Sequence, residues 1–237
     1  LIRERGKAIA NKRADREVGE GVVLAKANAN STKGAIIVLN CETDFVAKNQ
    51  DFIGLAAKIL DQALANEPSD LESLKSLTID GRKVEDLVMD QSGVTGEKFE
   101  LAYYEKIAAE KVVFYIHPGN KLASLVGFNT SNLPEQVGKD IAMQIAAMNP
   151  VSIDVDDVPE KIRNQAFEIG REQARLEGKP ENMLDKIAEG KLNKFYKEST
   201  LMNQEFIKNS KMNISAYLKS VDADLKVTGF KRVSLNV

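Results

Sequence analysis

Hydrophobic and polar residues follow two different periods along this chain. Two apolar runs, 21–28 and 35–40, flank a polar loop of small residues, which predicts an antiparallel β-hairpin. In 51–65 the apolar residues instead return every three or four positions, a spacing that predicts an amphipathic helix with one buried stripe. The stripe consists of Phe52, Leu55, Ala56, Ile59, Leu60 and Ala63.

The same hairpin-and-helix pattern returns roughly 85 residues later, which predicts a duplicated α+β module. Apolar runs 112–116 and 122–128 flank the turn sequence His-Pro-Gly-Asn, and helical periodicity follows in 134–148. Between the two units, 71–96 predicts short helices and loops, and 99–107 predicts a further strand. The stripe of the second helix consists of Val137, Ile141, Ile145 and Met148.

A third pattern occupies 158–199, where two helical runs flank the sequence Glu-Gly-Lys-Pro at 177–180. Glycine ends the first run and proline begins the second, so we expect an antiparallel helical hairpin packed as a short coiled coil. A short helix at 214–220 and a last strand at 225–235 complete an α+β fold with antiparallel sheets. The two stripes consist of Ile162, Ala166, Ile169, Gln173 and Leu176, and of Met183, Leu184, Ile187, Leu192 and Phe195.

Charge and composition narrow the class of partner and the compartment. The 33 basic and 35 acidic residues give a net charge of −2, which disfavours nucleic acid as the direct partner. No apolar run approaches the length of a membrane span, so we expect no membrane partner. The single cysteine, Cys41, excludes an intramolecular disulfide and fits a reducing, cytoplasmic environment.

The residues that carry chemistry favour a binding protein over an enzyme. The chain has no phosphate-binding glycine loop, zinc-ligand spacing or nucleophile elbow. A thiol–imidazole pair of Cys41 and His117 is the enzymatic alternative, but Cys41 ends an apolar strand and fits a core position better. Asp154, Asp156 and Asp157 precede a helix, where acidic residues stabilise its N-terminus, so we favour this role over metal binding. We therefore predict no catalytic residue, no cofactor and no metal.

The polar turn after the second apolar run contains an aromatic residue, Phe45, beside Asp44. A large apolar side chain in a polar turn loses free energy in water unless it enters its own core or the pocket of a partner. Spacing alone favours the first alternative, in which Phe45 fastens the turn to the core.

Several motifs, in this order, resemble translation elongation factor Ts, the guanine-nucleotide exchange factor for elongation factor Tu. The first is Cys-Glu-Thr-Asp-Phe-Val-Ala-Lys at 41–48, and the second is Asp-Ile-Ala-Met-Gln-Ile-Ala-Ala-Met-Asn-Pro at 140–150. The sequences at 177–180 and 189–195 resemble the coiled-coil hairpin of the family. The resemblance covers nearly the whole chain.

The resemblance implies a division into four parts. Residues 1–19 would be the trailing helix and linker of an N-terminal ubiquitin-associated-like domain. Residues 20–110 would form the N-subdomain of the core, and 111–157 with 201–237 its C-subdomain. Residues 158–200 would form the coiled-coil hairpin.

The resemblance also implies a function without covalent chemistry, in which the chain binds elongation factor Tu·GDP during translation elongation and promotes GDP release. Thr43, Asp44, Phe45 and Val46 would contact the partner and dislodge its Mg²⁺, with Phe45 inserted between helices of the GTPase domain. Thr43 would cap the short helix that presents Asp44 and Phe45.

A second contact with the partner is expected at Leu122, Ala123, Ser124 and Gln144. There the family often has an Ile-Gly-Val-like run and a histidine, so this chain departs from the pattern. The resemblance allows two such heterodimers to assemble. A ribosome- or RNA-associated binding module without exchange activity is the other alternative.

Overall fold

A computed structural model describes Glu4, Ala8 and residues 16–235 of the chain, so most of the helix or linker predicted in 1–19 lies outside the described residues. The described residues separate into two compact units. The first contains the residues up to Ala146 and those from Val227 onward, and the second is Ala147–Lys226.

Strands and helices occur in both units, as the prediction of an α+β fold requires. The strands are β1 (Glu20–Ala27), β2 (Lys33–Cys41), β3 (Thr78–Ile79), β4 (Arg82–Lys83), β5 (Glu100–Ala108), β6 (Lys111–Ile116), β7 (Leu122–Phe128), β8 (Glu205–Phe206), β9 (Asn209–Asn213) and β10 (Val227–Ser234). The α-helices are α1 (Asp44–Ala47), α2 (Gln50–Asn66), α3 (Leu71–Ser76), α4 (Val84–Thr95), α5 (Glu135–Met148), α6 (Glu160–Leu176), α7 (Leu184–Ser199) and α8 (Ile214–Val221).

The first sheet of unit 1 has the order β1-β2-β5 and is antiparallel throughout. In β2, Ile37 and Leu39 enter one hydrophobic cluster, whereas Ile36 and Val38 enter another. Both faces of the strand are therefore covered, which explains why it has an unbroken apolar run instead of alternating polarity. Helix α2 covers one face with the predicted stripe, and all six of its residues are buried.

The second sheet of unit 1 has the order β10-β7-β6 and is also antiparallel. Helix α5 packs on this sheet, since a Cβ atom at Gly138 would lie 2.7 Å from Val113 Cγ2. Most of the predicted stripe of α5 is buried, but Met148 is half exposed, contrary to the prediction. It is the last residue of the helix, and Asn149, at φ +43°, turns the chain away from it.

Unit 2 contains the helices α6 and α7, which run antiparallel and are joined by a loop with Gly178 at φ +74°. The predicted stripe of α6 is only partly right, because Ile162 and Ala166 are partly buried but Ile169 and Leu176 are exposed. The fully buried residues of the helix are Gly170 and Ala174. A Cβ atom at Gly170 would lie only 3.1 Å from Lys191 Cβ, so the helices meet through small residues.

The second stripe is partly right, because Leu184 is buried and Ile187, Leu192 and Phe195 are partly buried. Ala188, which the stripe did not include, is also buried. Met183 is half exposed, since it belongs to the 3₁₀ turn that precedes the helix. The chain enters and leaves the helical pair at one place, where the Val151 N–H donates to the Ser199 carbonyl at 2.8 Å.

Candidate functional site

The turn between β2 and α2 carries the most exposed large apolar side chain among the described residues. Phe45 is 82% exposed, which overturns the interpretation that it fastens the turn to its own core. The neighbouring Val46 is partly buried against the core, and Ala47 is buried. One face of helix α1 therefore packs on the core of unit 1, and the Phe45 ring projects into solvent from another face.

Thr43 caps α1 as predicted. Its backbone is extended (φ −124°, ψ 153°), and its Oγ1 accepts a hydrogen bond from the Val46 N–H at 3.4 Å. An N-cap of this kind satisfies one of the amides that a helix leaves without an internal partner. Because α1 has only one turn, this cap contributes a large part of its backbone hydrogen bonding.

An ion pair borders Phe45 on the surface of α1. Lys48 Nζ lies 2.7 Å from Asp44 Oδ2, an i,i+4 contact across the single turn. This hydrogen bond lowers the pKa of Asp44, and the positive charge of Lys121 acts in the same direction. Asp44 is therefore a carboxylate at neutral pH, and the exposed ring has charged neighbours of both signs.

Cys41 lies at the end of β2 and is fully buried, as predicted for a core residue. Its thiol donates to the Thr43 carbonyl at 3.2 Å. Burial, followed by the negative charge of Glu97, raises its pKa to about 12. A thiolate nucleophile requires the opposite shift, so this environment disfavours a Cys41-dependent reaction.

The residues predicted for a second contact lie mostly inside unit 1. Ala123, Ser124 and Gln144 are fully buried, whereas Leu122 is partly exposed. Ser124 Oγ donates to the Ala142 carbonyl at 2.7 Å and so joins β7 to α5. Of these residues, only Leu122 has side-chain surface to offer a partner.

The acidic residues before α6 stabilise a 3₁₀ turn, Val155–Asp157. Asp154 and Asp157 form a capping box, in which each carboxylate accepts from a backbone amide of the other end of the turn. Within the described part of the chain, no group of three or more His, Cys, Asp and Glu residues is arranged to hold a metal ion. No helix in that part has the length and apolar character required to cross a membrane.

Sequence reasoning missed Glu97. Its Oε2 accepts from the amides of Glu42 and Thr43 at 3.2 and 3.1 Å, and its Oε1 accepts from Thr43 Oγ1 at 2.6 Å. The only local signal is Gly96, whose φ of +78° ends α4, and it indicates a turn without indicating what the turn contacts. Glu97 is 54 positions from Thr43, a distance over which hydrophobic periodicity carries no information.

A large aromatic side chain exposed on a turn that hydrogen bonds hold in place is typical of a protein-docking site. Comparisons with known proteins specify the class. A family model described as "Elongation factor TS" matches residues 42–236. The chain is 48% identical over 237 residues to elongation factor Ts of Azobacteroides pseudotrichonymphae, covering 100% of this chain and 86% of that protein.

Two further relatives that the chain resembles over nearly its full length are also elongation factor Ts proteins. Elongation factor Ts of Porphyromonas gingivalis is 49% identical over 237 residues, with 100% of this chain and 85% of the relative covered. Elongation factor Ts of Amoebophilus asiaticus is 50% identical over 235 residues, with 98% and 85% covered. The chain belongs to the elongation factor Ts family, whose members are nucleotide exchange factors in translation elongation. The resemblance inferred from its motifs is confirmed.

Proposed function

We propose that this protein binds elongation factor Tu·GDP in the cytoplasm and accelerates GDP release by disturbing the Mg²⁺ and phosphate site of its partner. The observation that carries the proposal is the 82% exposure of Phe45 on a turn whose backbone is hydrogen-bonded on both sides. An aromatic anchor that enters a pocket of a partner typically contributes about 2–4 kcal/mol to an interface.

The mechanism follows from what such an insertion does to a GTPase. Phe45 enters between helices of the nucleotide-binding domain, and the displaced helix perturbs the Mg²⁺ ligands. Loss of the charge of the ion beside the β-phosphate weakens GDP binding. Asp44 and Val46 extend the contact on either side of the ring, and Thr43 holds the turn that presents them.

We also propose a second contact with the partner, on the strand β7. Leu122 supplies its exposed surface, and the buried residues Ala123, Ser124 and Gln144 support that surface from within unit 1. A second contact would hold the partner in one orientation while Phe45 acts on the nucleotide site.

The proposal assigns the sheet β1-β2-β5 and the sheet β10-β7-β6 to the two subdomains of a duplicated core. Each is a three-stranded antiparallel sheet, and α2 and α5 each bury an apolar stripe. Helices α6 and α7 are assigned to the coiled-coil hairpin of the family.

The direct experiment measures release of a fluorescent GDP analogue from elongation factor Tu with and without this chain. Release should accelerate with increasing chain concentration and reach a plateau, and excess Mg²⁺ should slow it. Release at the spontaneous rate, at chain concentrations that bind the partner, would contradict the proposal and favour a binding module without exchange activity.

A further inference from the structure

We propose that Glu97 is a positioning residue for nucleotide exchange, because its carboxylate fixes the backbone that determines where the Phe45 ring points. The hydrogen bonds of this carboxylate reach the turn at Glu42 and Thr43, so Glu97 acts on the ring through the backbone. The inference rests on the proposed role of Phe45 and adds the element that pre-organises it.

The backbone after β2 requires an acceptor at this place. The strand makes its last ladder pairs at Asn40 and Cys41, so the amides of Glu42 and Thr43 lie beyond the sheet. Backbone donors that leave a sheet at a part-buried site need another partner. Both amides find it in Glu97 Oε2, which therefore takes the place of a neighbouring strand for two residues.

The same carboxylate orients the hydroxyl group that caps α1. Thr43 Oγ1 donates its proton to Glu97 Oε1 at 2.6 Å, which leaves an oxygen lone pair for the Val46 N–H. The first contact is a short, charge-assisted hydrogen bond, whereas the cap itself is long, at 3.4 Å. Glu97 therefore holds the Thr43 side chain in place more strongly than the cap does.

Glu97 is itself held from both sides along the chain. Gly96 ends α4 in the left-handed conformation, and two residues after Glu97 the Phe99 N–H donates to Ser92 Oγ at 3.0 Å. The Phe99 ring is buried and packs edge to face on Phe52, with 4.9 Å between ring centroids. The carboxylate is thus presented from a segment anchored in the core.

Residues 42–43 and 97–98 are also joined by a contact in which Glu42 is the acceptor. The Glu42 carboxylate accepts from the Lys98 amide at 2.7 Å and pairs with Arg16 at 3.0 Å. Loss of the Glu97 side chain removes three of the hydrogen bonds between these two segments and leaves the one that the Lys98 amide donates.

Pre-organisation matters here because the Phe45 ring, 82% exposed, gains little from contacts within its own chain. A one-turn helix is marginal in water, so its direction depends on what fixes its first residues. A turn that is ordered before binding loses little further conformational entropy when the partner binds, so more of the contact energy appears as affinity. Without Glu97 the ring would meet its pocket in the productive orientation less often.

The test compares Glu97→Gln with Asp70→Ala in the full chain. Asp70 is a matched control, since its carboxylate also accepts a backbone amide, that of Ser73 at 2.8 Å, in the same unit but at α3. At limiting concentration, Glu97→Gln should slow GDP release by elongation factor Tu roughly tenfold, the effect expected for one lost charge-assisted hydrogen bond. Asp70→Ala, with a similar loss of thermal stability, should change release less than about twofold.

Two further measurements separate positioning from stability. Amide hydrogen exchange at Glu42 and Thr43 should accelerate in Glu97→Gln and stay unchanged in Phe45→Ala. The double variant Phe45→Ala/Glu97→Gln should release GDP no more slowly than Phe45→Ala alone, because Glu97 acts through the ring.

Each outcome bears on a defined claim. If Phe45→Ala lost the acceleration of GDP release and Glu97→Gln kept it, the role of Glu97 would be overturned and that of Phe45 would stand. Effects of the two substitutions on GDP release that multiply in the double variant would also overturn the role of Glu97. Undiminished acceleration of GDP release by Phe45→Ala would overturn the proposed mechanism itself. The conservative Glu97→Gln change keeps the volume of the side chain, and its amide-exchange readout does not depend on the partner.

Discussion

At the scale of single residues, Phe45 combines high exposure with a fixed backbone, so its replacement separates function from stability. Phe45→Ala should reduce the acceleration of GDP release by a factor equivalent to about 2–4 kcal/mol. The melting temperature should change little, because an 82% exposed ring contributes little to the core. The measurement is nucleotide release together with a thermal melt of the same sample.

Leu176 offers a matched control for this variant. It is a large apolar residue, 80% exposed, in unit 2. Leu176→Ala should leave both release and melting temperature near those of the unchanged chain. If Phe45→Ala lowered the free energy of unfolding by as many kcal/mol as its effect on release represents, the ring would support the fold.

The thiol of Cys41 provides a pH-dependent prediction at the same scale. Burial raises its pKa from 9.0 to about 12, so the folded chain keeps this proton at pH values where the unfolded chain has lost it. The stabilising contribution is complete below pH 9 and is lost as the pH rises toward 12. Urea midpoints between about pH 8 and 11 should therefore fall more steeply for the unchanged chain than for Cys41→Ala.

Alkylation provides a second check on Cys41. At about pH 8, iodoacetamide should label the folded chain far more slowly than the urea-unfolded chain, because a buried neutral thiol is a weak nucleophile. Fast labelling of the folded chain would reopen the alternative in which Cys41 serves an enzyme.

At the scale of elements, sequence periodicity succeeded where one face of a helix packs through large side chains. The stripe of α2 matches the structure at each position, since Phe52, Leu55 and Ile59 dominate both the pattern and the packing. In α6 the buried residues are Gly170 and Ala174, and an apolar pattern gives such small residues little weight. The predicted stripe therefore shifted onto Ile169, which is exposed.

Two glycines of the helical pair test this explanation. A Cβ atom added at Gly190 in α7 would meet no neighbouring atom within 4 Å, so Gly190→Ala should stabilise the chain by about 0.5–1 kcal/mol. Gly170→Leu should destabilise it by about 1–3 kcal/mol, because the side chain would force the helices apart at Lys191. Urea unfolding followed by far-ultraviolet circular dichroism measures both changes, and equal stability of the two variants would refute close packing at Gly170.

At the scale of the whole molecule, the sequence predicted the fold class and the turn of the site but not the contacts that join distant segments. The pairing of β10 with β7 and the support of Thr43 by Glu97 connect residues far apart in the chain. The exposure of Phe45 was equally inaccessible, since a pattern of residue types does not distinguish a ring on the core from a ring in solvent. The family motifs favoured a ring that does not pack on its own core, and the exposure of Phe45 agrees with that part of the expectation.

The proposed function makes a thermodynamic prediction for the whole complex. If the chain weakens GDP binding to elongation factor Tu by a given factor, GDP must weaken chain binding by that same factor. Four dissociation constants, measured by calorimetry and by nucleotide fluorescence at one salt concentration, should therefore close a cycle. Phe45→Ala should lower both factors equally, because the ring supplies differential contact with the two states of the partner. An unchanged coupling factor in Phe45→Ala, with the cycle closed, would contradict a role of the ring in weakening GDP binding.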